Sequence, residues 1–169
     1  VDLSGLGAEV QLDGVYLGYG DHHIDNSTAI RHLVGSTKSD QLYKGILNGR
    51  ARAVFNGCLN ILQDAQKSDA AQLNQTLVLS DFAEMDTKPQ LEVDADDVKA
   101  AHGASVGRMS EDEMFYLQSR AISKELAAQM LAKSFIGEVV ERLSSGFLKE
   151  AVGSLLTKGL ENTLKEEPQ

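Results

Sequence analysis

The spacing of apolar residues changes near residue 110, and this change constrains the fold more than any other feature of the sequence. Before it, short runs of alternating apolar and polar residues recur at intervals of roughly ten to sixteen residues, as short strands do. After it, apolar residues lie about four apart, as on one face of a helix. The sequence therefore predicts a β-rich core over residues 1–108 and a helical domain over residues 109–169.

The β-rich segment contains several strand-like runs separated by turn-forming residues. Leu42 and Ile46, like Val54 and Cys58, stand an even number of residues apart, as one face of a strand requires. The predicted strand runs are 14–17, 41–47, 52–55, 77–79, 90–93 and 104–106. Pairs that favour turns occur at Asp13-Gly14, Asn48-Gly49 and Asn56-Gly57.

Two architectures fit these short strands. In a parallel β-helix each turn needs few inward residues because neighbouring turns bury the rest, which suits the interleaved polar residues and the 5% aromatic content. A β-sandwich also contains short strands at regular intervals. The pattern alone leaves both architectures open.

The helical segment carries its own start and stop signals. Ser110 followed by Glu113 fits a capping box that opens a helix running to Arg120. Ser123 can cap a second helix, whose apolar stripe ends at Ser144-Ser145-Gly146, and a third helix follows. The second stripe comprises Leu126, Met130, Leu131, Phe135, Ile136, Val139, Val140 and Leu143, and the third Phe147, Leu148, Val152, Leu155, Leu156 and Leu160. The tail, residues 165–169, is predicted to be disordered.

Charge and cysteine usage exclude some classes of partner and site. With 16 Lys+Arg against 25 Asp+Glu, the net charge is -9, which disfavours binding to nucleic acid or to a membrane. Cys58 is the only cysteine, so we expect no internal disulfide, a cytoplasmic location and a small buried side chain at this position. The first residue, Val1, is not an initiator Met, and a fragment or processed chain is expected.

Six blocks, in this order, carry a resemblance to a known family: 44–51, 64–70, 86–92, 95–99, 102–107 and 115–123. They resemble the SufB/SufD family of iron–sulfur cluster assembly proteins, and within it the SufD branch. Family members are longer, so the chain resembles only their C-terminal part. The resemblance implies a right-handed parallel β-helix followed by a C-terminal helical domain, and so favours the solenoid over the sandwich.

The same resemblance implies a function. It predicts a non-catalytic scaffold subunit of the SufBCD complex, which pairs with SufB through the β-helix and docks the SufC ATPase on the helical domain. A homodimer is compatible with the isolated chain. No tightly bound cofactor is expected, although a transient iron–sulfur cluster at the SufB interface is compatible with the family. The chain has no phosphate-binding loop, so ATP hydrolysis is assigned to the partner. A carbohydrate-active β-helix enzyme, a lyase or esterase, is the alternative.

The resemblance also selects candidate site residues. It places His102, in a His-Gly pair, near the SufB interface, where imidazole can bind iron or transfer a proton. Small neighbours and a turn at Gly103 are expected to leave this ring near the surface. Asn74 stands where SufB has a sulfur-accepting cysteine, which disfavours sulfur acceptance here. The expected SufC contact lies between Phe115 and Phe135. Its candidate residues are Phe115, Tyr116, Arg120, Lys124 and Phe135.

Other residues with metal-binding side chains are assigned structural roles. His22 and His23 would point to opposite faces of a regular strand, which argues against one shared ion. His32 is predicted to be exposed. The carboxylates of Asp94, Asp96 and Asp97 lack calcium-loop spacing, so the sequence favours a solvated turn.

Overall fold

The computed structural model describes residues 1–165, which form a parallel β-solenoid of about four turns followed by three helices. Alternate strands build two four-stranded sheets, sheet A with the order β1-β3-β5-β7 and sheet B with the order β2-β4-β6-β8. The strands are β1 (Asp2–Leu3), β2 (Glu9–Gly18), β3 (His23–His32), β4 (Lys38–Leu47), β5 (Arg52–Ile61), β6 (Asp69–Val78), β7 (Glu84–Val93) and β8 (Lys99–Gly107). The helices are α1 (Glu111–Gln118), α2 (Lys124–Glu141) and α3 (Gly146–Lys165).

Every strand pair is parallel, which confirms the predicted solenoid and excludes the sandwich for the described residues. Side chains alternate between the inside of the solenoid and its outer faces. On β5, for example, Phe55, Leu59 and Ile61 are fully buried. The right-handed sense and the division into two domains at residue 108 stay predictions.

The helices cover the outer face of sheet B mainly at β2 and β4. Ile46 of β4 packs with Ile136 of α2 and Leu160 of α3. The predicted strand face of Leu42 and Ile46 is therefore buried under helices and does not line the interior. The nearly buried Lys44 pairs with Glu138 of α2, and Arg142, just after α2, pairs with Asp13 at 3.0 Å and Asp40 at 2.9 Å.

The predicted helix starts are confirmed. Ser110 Oγ accepts a hydrogen bond from the Glu113 backbone N–H at 3.3 Å, and Ser123 Oγ accepts one from the Leu126 N–H at 3.2 Å. The predicted stripe of α2 is buried only in part, since Ile136 is buried but Leu126 is 49% exposed. Of the predicted disordered tail, Lys165 ends α3, and residues 166–169 lie outside the described residues.

Two of the three predicted turn pairs are wrong. Asn48-Gly49 does form the turn between β4 and β5, with Gly49 at φ 63. Gly14 and Gly57 instead lie inside β2 and β5. A Cβ on Gly14 would stand 2.5 Å from the Tyr43 ring, and one on Gly57 would stand 2.5 Å from Gln72 Nε2. These glycines therefore make room for side chains inside the solenoid.

Two side-chain environments also differ from the prediction. His32 is fully buried, because its ring lies at a corner where its two nitrogens contact Thr37 Oγ1 at 2.7 Å and Ser39 Oγ at 2.9 Å. Burial lowers the pKa of this imidazole. Cys58 is only half-buried, because it lies on the outer face of β5, opposite to the inward Leu59. None of the helices within residues 1–165 has the length and apolar character needed to cross a membrane.

Candidate functional site

Strand β8 forms one edge of sheet B. It pairs with β6, and its other side meets no strand within residues 1–165. Most of its side chains are small, and most are exposed. An edge of this kind presents a row of backbone N–H and C=O groups to another chain.

His102 lies in the middle of this edge strand and is exposed, as predicted. Its backbone pairs in register with Gln72 of β6. Gly103 does not form the predicted turn. It continues the strand, and an added Cβ would lie at an ordinary contact distance of 3.4 Å from Leu73 Cδ1. The ring of His102 makes no hydrogen bond or ion pair within the described part of the chain.

A groove of about 340 Å³ lies beside His102, between sheet B and the C-terminal end of α2. Leu42 and Leu73 contribute apolar walls, and Asp40, Glu138 and Arg142 contribute charges. Arg142 is paired with Asp40 within the groove, and Glu138 is paired with Lys44 of β4.

Sequence reasoning missed a set of polar side chains inside the solenoid that leads to His102. Gln41 Nε2 donates to Thr28 Oγ1 at 2.8 Å, and Gln72 Nε2 donates to Gln41 Oε1 at 2.9 Å. Gln41, Gln72 and His102 occupy equivalent register positions on β4, β6 and β8. The near-constant spacing of these residues in the sequence is the signal that could have revealed the set.

A second interior cluster surrounds Asn74, the residue at the position compared with the SufB cysteine. Tyr16 Oη donates to Asn74 Oδ1 at 3.0 Å and shares a hydrogen bond with Thr76 Oγ1 at 2.6 Å. Asn74 Nδ2 in turn donates to Thr87 Oγ1 at 3.1 Å. Burial raises the pKa of the Tyr16 phenol, although its hydrogen bonds to Thr76 and Asn74 oppose the shift. The phenol therefore serves as a neutral donor in a closed network.

The structure separates the five residues predicted to contact SufC. Phe115 is 73% exposed and Tyr116 55% exposed, and the Arg120 guanidinium lies 4.6 Å from the centre of the Tyr116 ring. Lys124 is exposed at the start of α2. Phe135 is half-buried, because its ring lies 4.6 Å below Lys44 Nζ in the contact between α2 and sheet B. Phe135 is thus part of the helix–sheet packing.

The remaining candidates form no metal centre within residues 1–165, where no group of three or more His, Cys, Asp and Glu side chains is arranged to hold an ion. The ring of His22 packs against Tyr19 with centroids 4.2 Å apart. Arg50 binds Asp21 at 2.7 Å, and its hydrogen bond lowers the pKa of that carboxyl. Asp94, Asp96 and Asp97 are all exposed between β7 and β8, as expected for a solvated turn.

Comparison with known proteins gives a consistent result. A sequence model described as "SUF system FeS cluster assembly, SufBD core domain" matches residues 1–135. The chain is 40% identical over 150 residues to the iron-sulfur cluster assembly protein SufD of Escherichia coli, which covers 89% of this chain and 36% of that protein. It is 33% identical over 157 residues to the iron-sulfur cluster assembly protein SufD of Bacillus subtilis, and this match covers 93% of this chain and 36% of that protein.

A cyanobacterial relative from Synechocystis, the iron-sulfur cluster assembly SufBD family protein slr0076, is 41% identical over 118 residues, which cover 70% of this chain and 26% of that protein. The chain thus spans between about a quarter and a little over a third of the length of these relatives. With the parallel solenoid and the family match over residues 1–135, these similarities lead to one conclusion. The chain belongs to the SufBD core family of SUF-system iron–sulfur cluster assembly proteins, and it is SufD-like within that family.

Proposed function

We propose that this chain is a non-catalytic scaffold subunit of a cytoplasmic SufBCD complex, pairing with SufB through β8 and docking the SufC ATPase on its helices. The observation that carries the proposal is the free edge of β8, with His102 in its middle. Family membership makes iron–sulfur cluster assembly the process to which this edge contributes and disfavours the carbohydrate-active alternative.

The edge of β8 suits pairing with another solenoid. Ala100, Ala101, Ala104 and Ser105 have small side chains, so a second strand could approach the backbone closely. A solenoid of stacked turns also requires its terminal turn to be covered, because that turn has no neighbour on one side. A SufB strand added at this edge would supply the missing hydrogen bonds and would cover the open end.

His102 would then lie at the interface between the two subunits. Imidazole nitrogen is a good ligand for iron, and a neutral imidazole can also accept a proton during sulfur delivery. The iron–sulfur cluster enters this scheme as the transient product of assembly at the interface. We therefore assign His102 to cluster formation, with SufB supplying further ligands.

The helices would provide the SufC contact. Phe115 and Tyr116 are exposed aromatic side chains next to Arg120, and aromatic residues and arginine dominate the binding energy of many protein interfaces. Lys124 extends this surface onto α2. We exclude Phe135 from the proposed contact, since its ring is engaged with Lys44.

Co-expression with SufB and SufC tests both surfaces. Ala104→Lys places a charge on the edge strand and should abolish pairing with SufB, whereas Ser27→Lys, on an exposed strand position of sheet A, should not. Phe115→Asp should release SufC, whereas Leu155→Asp, at a residue 70% exposed on α3, should retain it. Equal binding by Ala104→Lys and Ser27→Lys would place the SufB contact elsewhere.

Cluster reconstitution tests the site. In the full complex His102→Ala should assemble clusters more slowly than the unmodified chain. His102→Cys separates the two roles, because a thiolate can bind iron but is a poor proton shuttle near neutral pH. Normal assembly by His102→Ala would show that this histidine is not part of the reaction.

A further inference from the structure

The polar side chains inside the solenoid form a hydrogen-bonded ladder with a direction. Gln72 donates to Gln41, and Gln41 donates to Thr28, so each amide N–H points toward the preceding strand of the ladder. Gln41 is 1% exposed and Gln72 is 3% exposed, so water does not compete for these groups. The ladder therefore ends, at its β6 end, in an acceptor.

That last acceptor, Gln72 Oε1, is buried and has no hydrogen-bond partner within residues 1–165. The amide nitrogen is bound to Gln41 Oε1 and lies against Gly57, where an added Cβ would stand 2.5 Å from it. With the nitrogen directed toward β4, the oxygen is directed away from β4. A buried carbonyl without a donor is unfavourable by about 1–3 kcal/mol, so a donor is expected nearby.

His102 is the donor that the strand register supplies. It pairs with Gln72, and side chains at paired positions of parallel strands project to the same face. The other residues of β8 on this face are Ala100, Ala104 and Val106, whose side chains cannot form hydrogen bonds. The imidazole is exposed and makes no hydrogen bond within residues 1–165, so turning the ring toward Gln72 breaks no existing hydrogen bond.

We propose that one ring N–H of His102 donates to Gln72 Oε1 and that this hydrogen bond holds the neutral ring in a single tautomer. The second ring nitrogen then presents its lone pair at the β8 edge. A hydrogen bond of this kind commonly orients histidines that bind metals. Gln72 is a positioning residue in this scheme. Its use in cluster assembly rests on the proposed function, whereas the hydrogen bond itself does not.

Tautomer populations measured from ¹⁵N chemical shifts of the histidine ring test the hydrogen bond. Spectra of the labelled chain are recorded at about pH 8.5, above the ordinary titration range of histidine. Gln72→Met keeps a similar shape but removes the acceptor, and the matched control Gln75→Met makes the same change on the opposite face of β6. We expect about a fivefold change in the tautomer ratio for Gln72→Met, the effect of one ordinary hydrogen bond, and none for the control.

Gln41→Met gives a second test that leaves the acceptor in place. It removes the partner of Gln72 Nε2, so the amide can turn and the tautomer ratio should shift less than in Gln72→Met. An identical ratio in the unmodified chain and Gln72→Met overturns the proposal. If Gln72→Met does not fold, a ratio in the unmodified chain equal to that of a short histidine peptide overturns it as well.

The rate of cluster assembly with SufB and SufC distinguishes a failure of the positioning role of Gln72 from a failure of the function proposed for His102. Slower assembly by Gln72→Met together with an altered tautomer ratio supports the positioning role. A normal rate for Gln72→Met, when His102→Ala is slow, overturns that role. A normal rate for His102→Ala instead refutes the function proposed for the histidine, and the tautomer measurement alone then decides whether the hydrogen bond exists.

Discussion

Replacing Gly45 by alanine should strongly destabilise the solenoid. Gly45 lies in β4 directly opposite Tyr16 of β2, and an added Cβ would stand 2.0 Å from Tyr16 Cε2 and 2.2 Å from Cζ. Carbon atoms in contact are normally about 3.5–4.0 Å apart, so the ring or the strand must move. The ring is 6% exposed, and its hydroxyl is bound to Asn74 and Thr76, so it has little freedom to do so.

The size of the effect follows from these contacts. Overpacking of a filled interior typically destabilises a protein by about 1–3 kcal/mol. If the ring moves far enough to relieve the contact, Asn74 and Thr76 also lose the phenol as a partner in a buried setting, which costs about 1–3 kcal/mol. We therefore expect Gly45→Ala to lower the free energy of unfolding by about 2–6 kcal/mol.

Urea unfolding followed by circular dichroism measures this loss. For a chain of this size, with a slope of about 2 kcal/mol per molar urea, the midpoint should fall by about 1–3 M. Gly107→Ala is the control, because nothing lies within 4 Å of a Cβ at that strand position. Its effect should stay within about 1 kcal/mol, since only backbone entropy changes.

A double variant identifies the clash as the cause. Tyr16→Leu alone should be destabilising, because it removes a buried ring and its hydrogen bonds. Combined with Gly45→Ala, it should cost much less than the sum of the two single changes, since the shorter side chain leaves room for the new Cβ. A loss below about 1 kcal/mol for Gly45→Ala, or strict additivity in the double variant, would refute the reasoning.

Three further predictions concern stability. Burial lowers the pKa of His32, so the unfolded chain binds the proton more readily than the folded chain, and the free energy of unfolding should fall as the pH drops below about 6.5. His32→Gln should lose less stability than the unmodified chain between about pH 7.5 and 5.5. An equal loss in both proteins would contradict this prediction. Glu138→Gln should destabilise the chain by about 1–2 kcal/mol because it leaves the buried Lys44 charge unpaired, whereas Lys44→Met should be nearly neutral, both measured by urea unfolding. A larger loss of stability for Lys44→Met than for Glu138→Gln would exclude this explanation. Ser123→Ala should lower the free energy of unfolding by about 1 kcal/mol, because it removes the N-terminal cap of α2. Ser119→Ala should lower it by less, because Ser119 does not cap the start of a helix.

The sequence predicted the helical part well because helix signals are local. Ser110 and Ser123 lie within three residues of the N–H groups that they accept, so the cap and the start of the helix are encoded together. Burial along α2 was harder to predict, because it depends on where sheet B lies. Ile136 is covered by that sheet, whereas Met130, on the same predicted stripe, is 44% exposed.

The strands were harder to recognise, since the partners that shape them are about thirty residues away. Strand β3 was missed because its inward face includes Asn26, Thr28 and His32, which look solvent-facing in a local window. Inside the solenoid such groups are tolerated when a neighbouring turn supplies a partner, as Gln41 does for Thr28. The same distance hid the role of Gly57, which looks like a turn residue but leaves space for Gln72.

The candidate site was predictable in position but not in its supporting residues. The resemblance to the SufB/SufD family was enough to select His102, and the structure places this residue exposed on the edge strand. Nothing local to His102 points to Gln72. The link becomes visible only when β4, β6 and β8 are aligned by their register, because that alignment places Gln41, Gln72 and His102 in one row.

The polar interior and the free edge are connected by one physical requirement. A buried polar group inside a solenoid needs a partner, and here an earlier turn provides it: Gln41 of β4 binds Gln72 of β6, and Tyr16 of β2 binds Asn74 of β6. At the last turn this supply stops, so the final acceptor in a row must bind a group on the edge strand or on whatever covers the edge. An apolar interior would impose no such demand. The row that ends at Gln72 therefore favours a polar residue at position 102. Its last unpaired acceptor lies next to the edge strand, which is the surface that we assign to SufB.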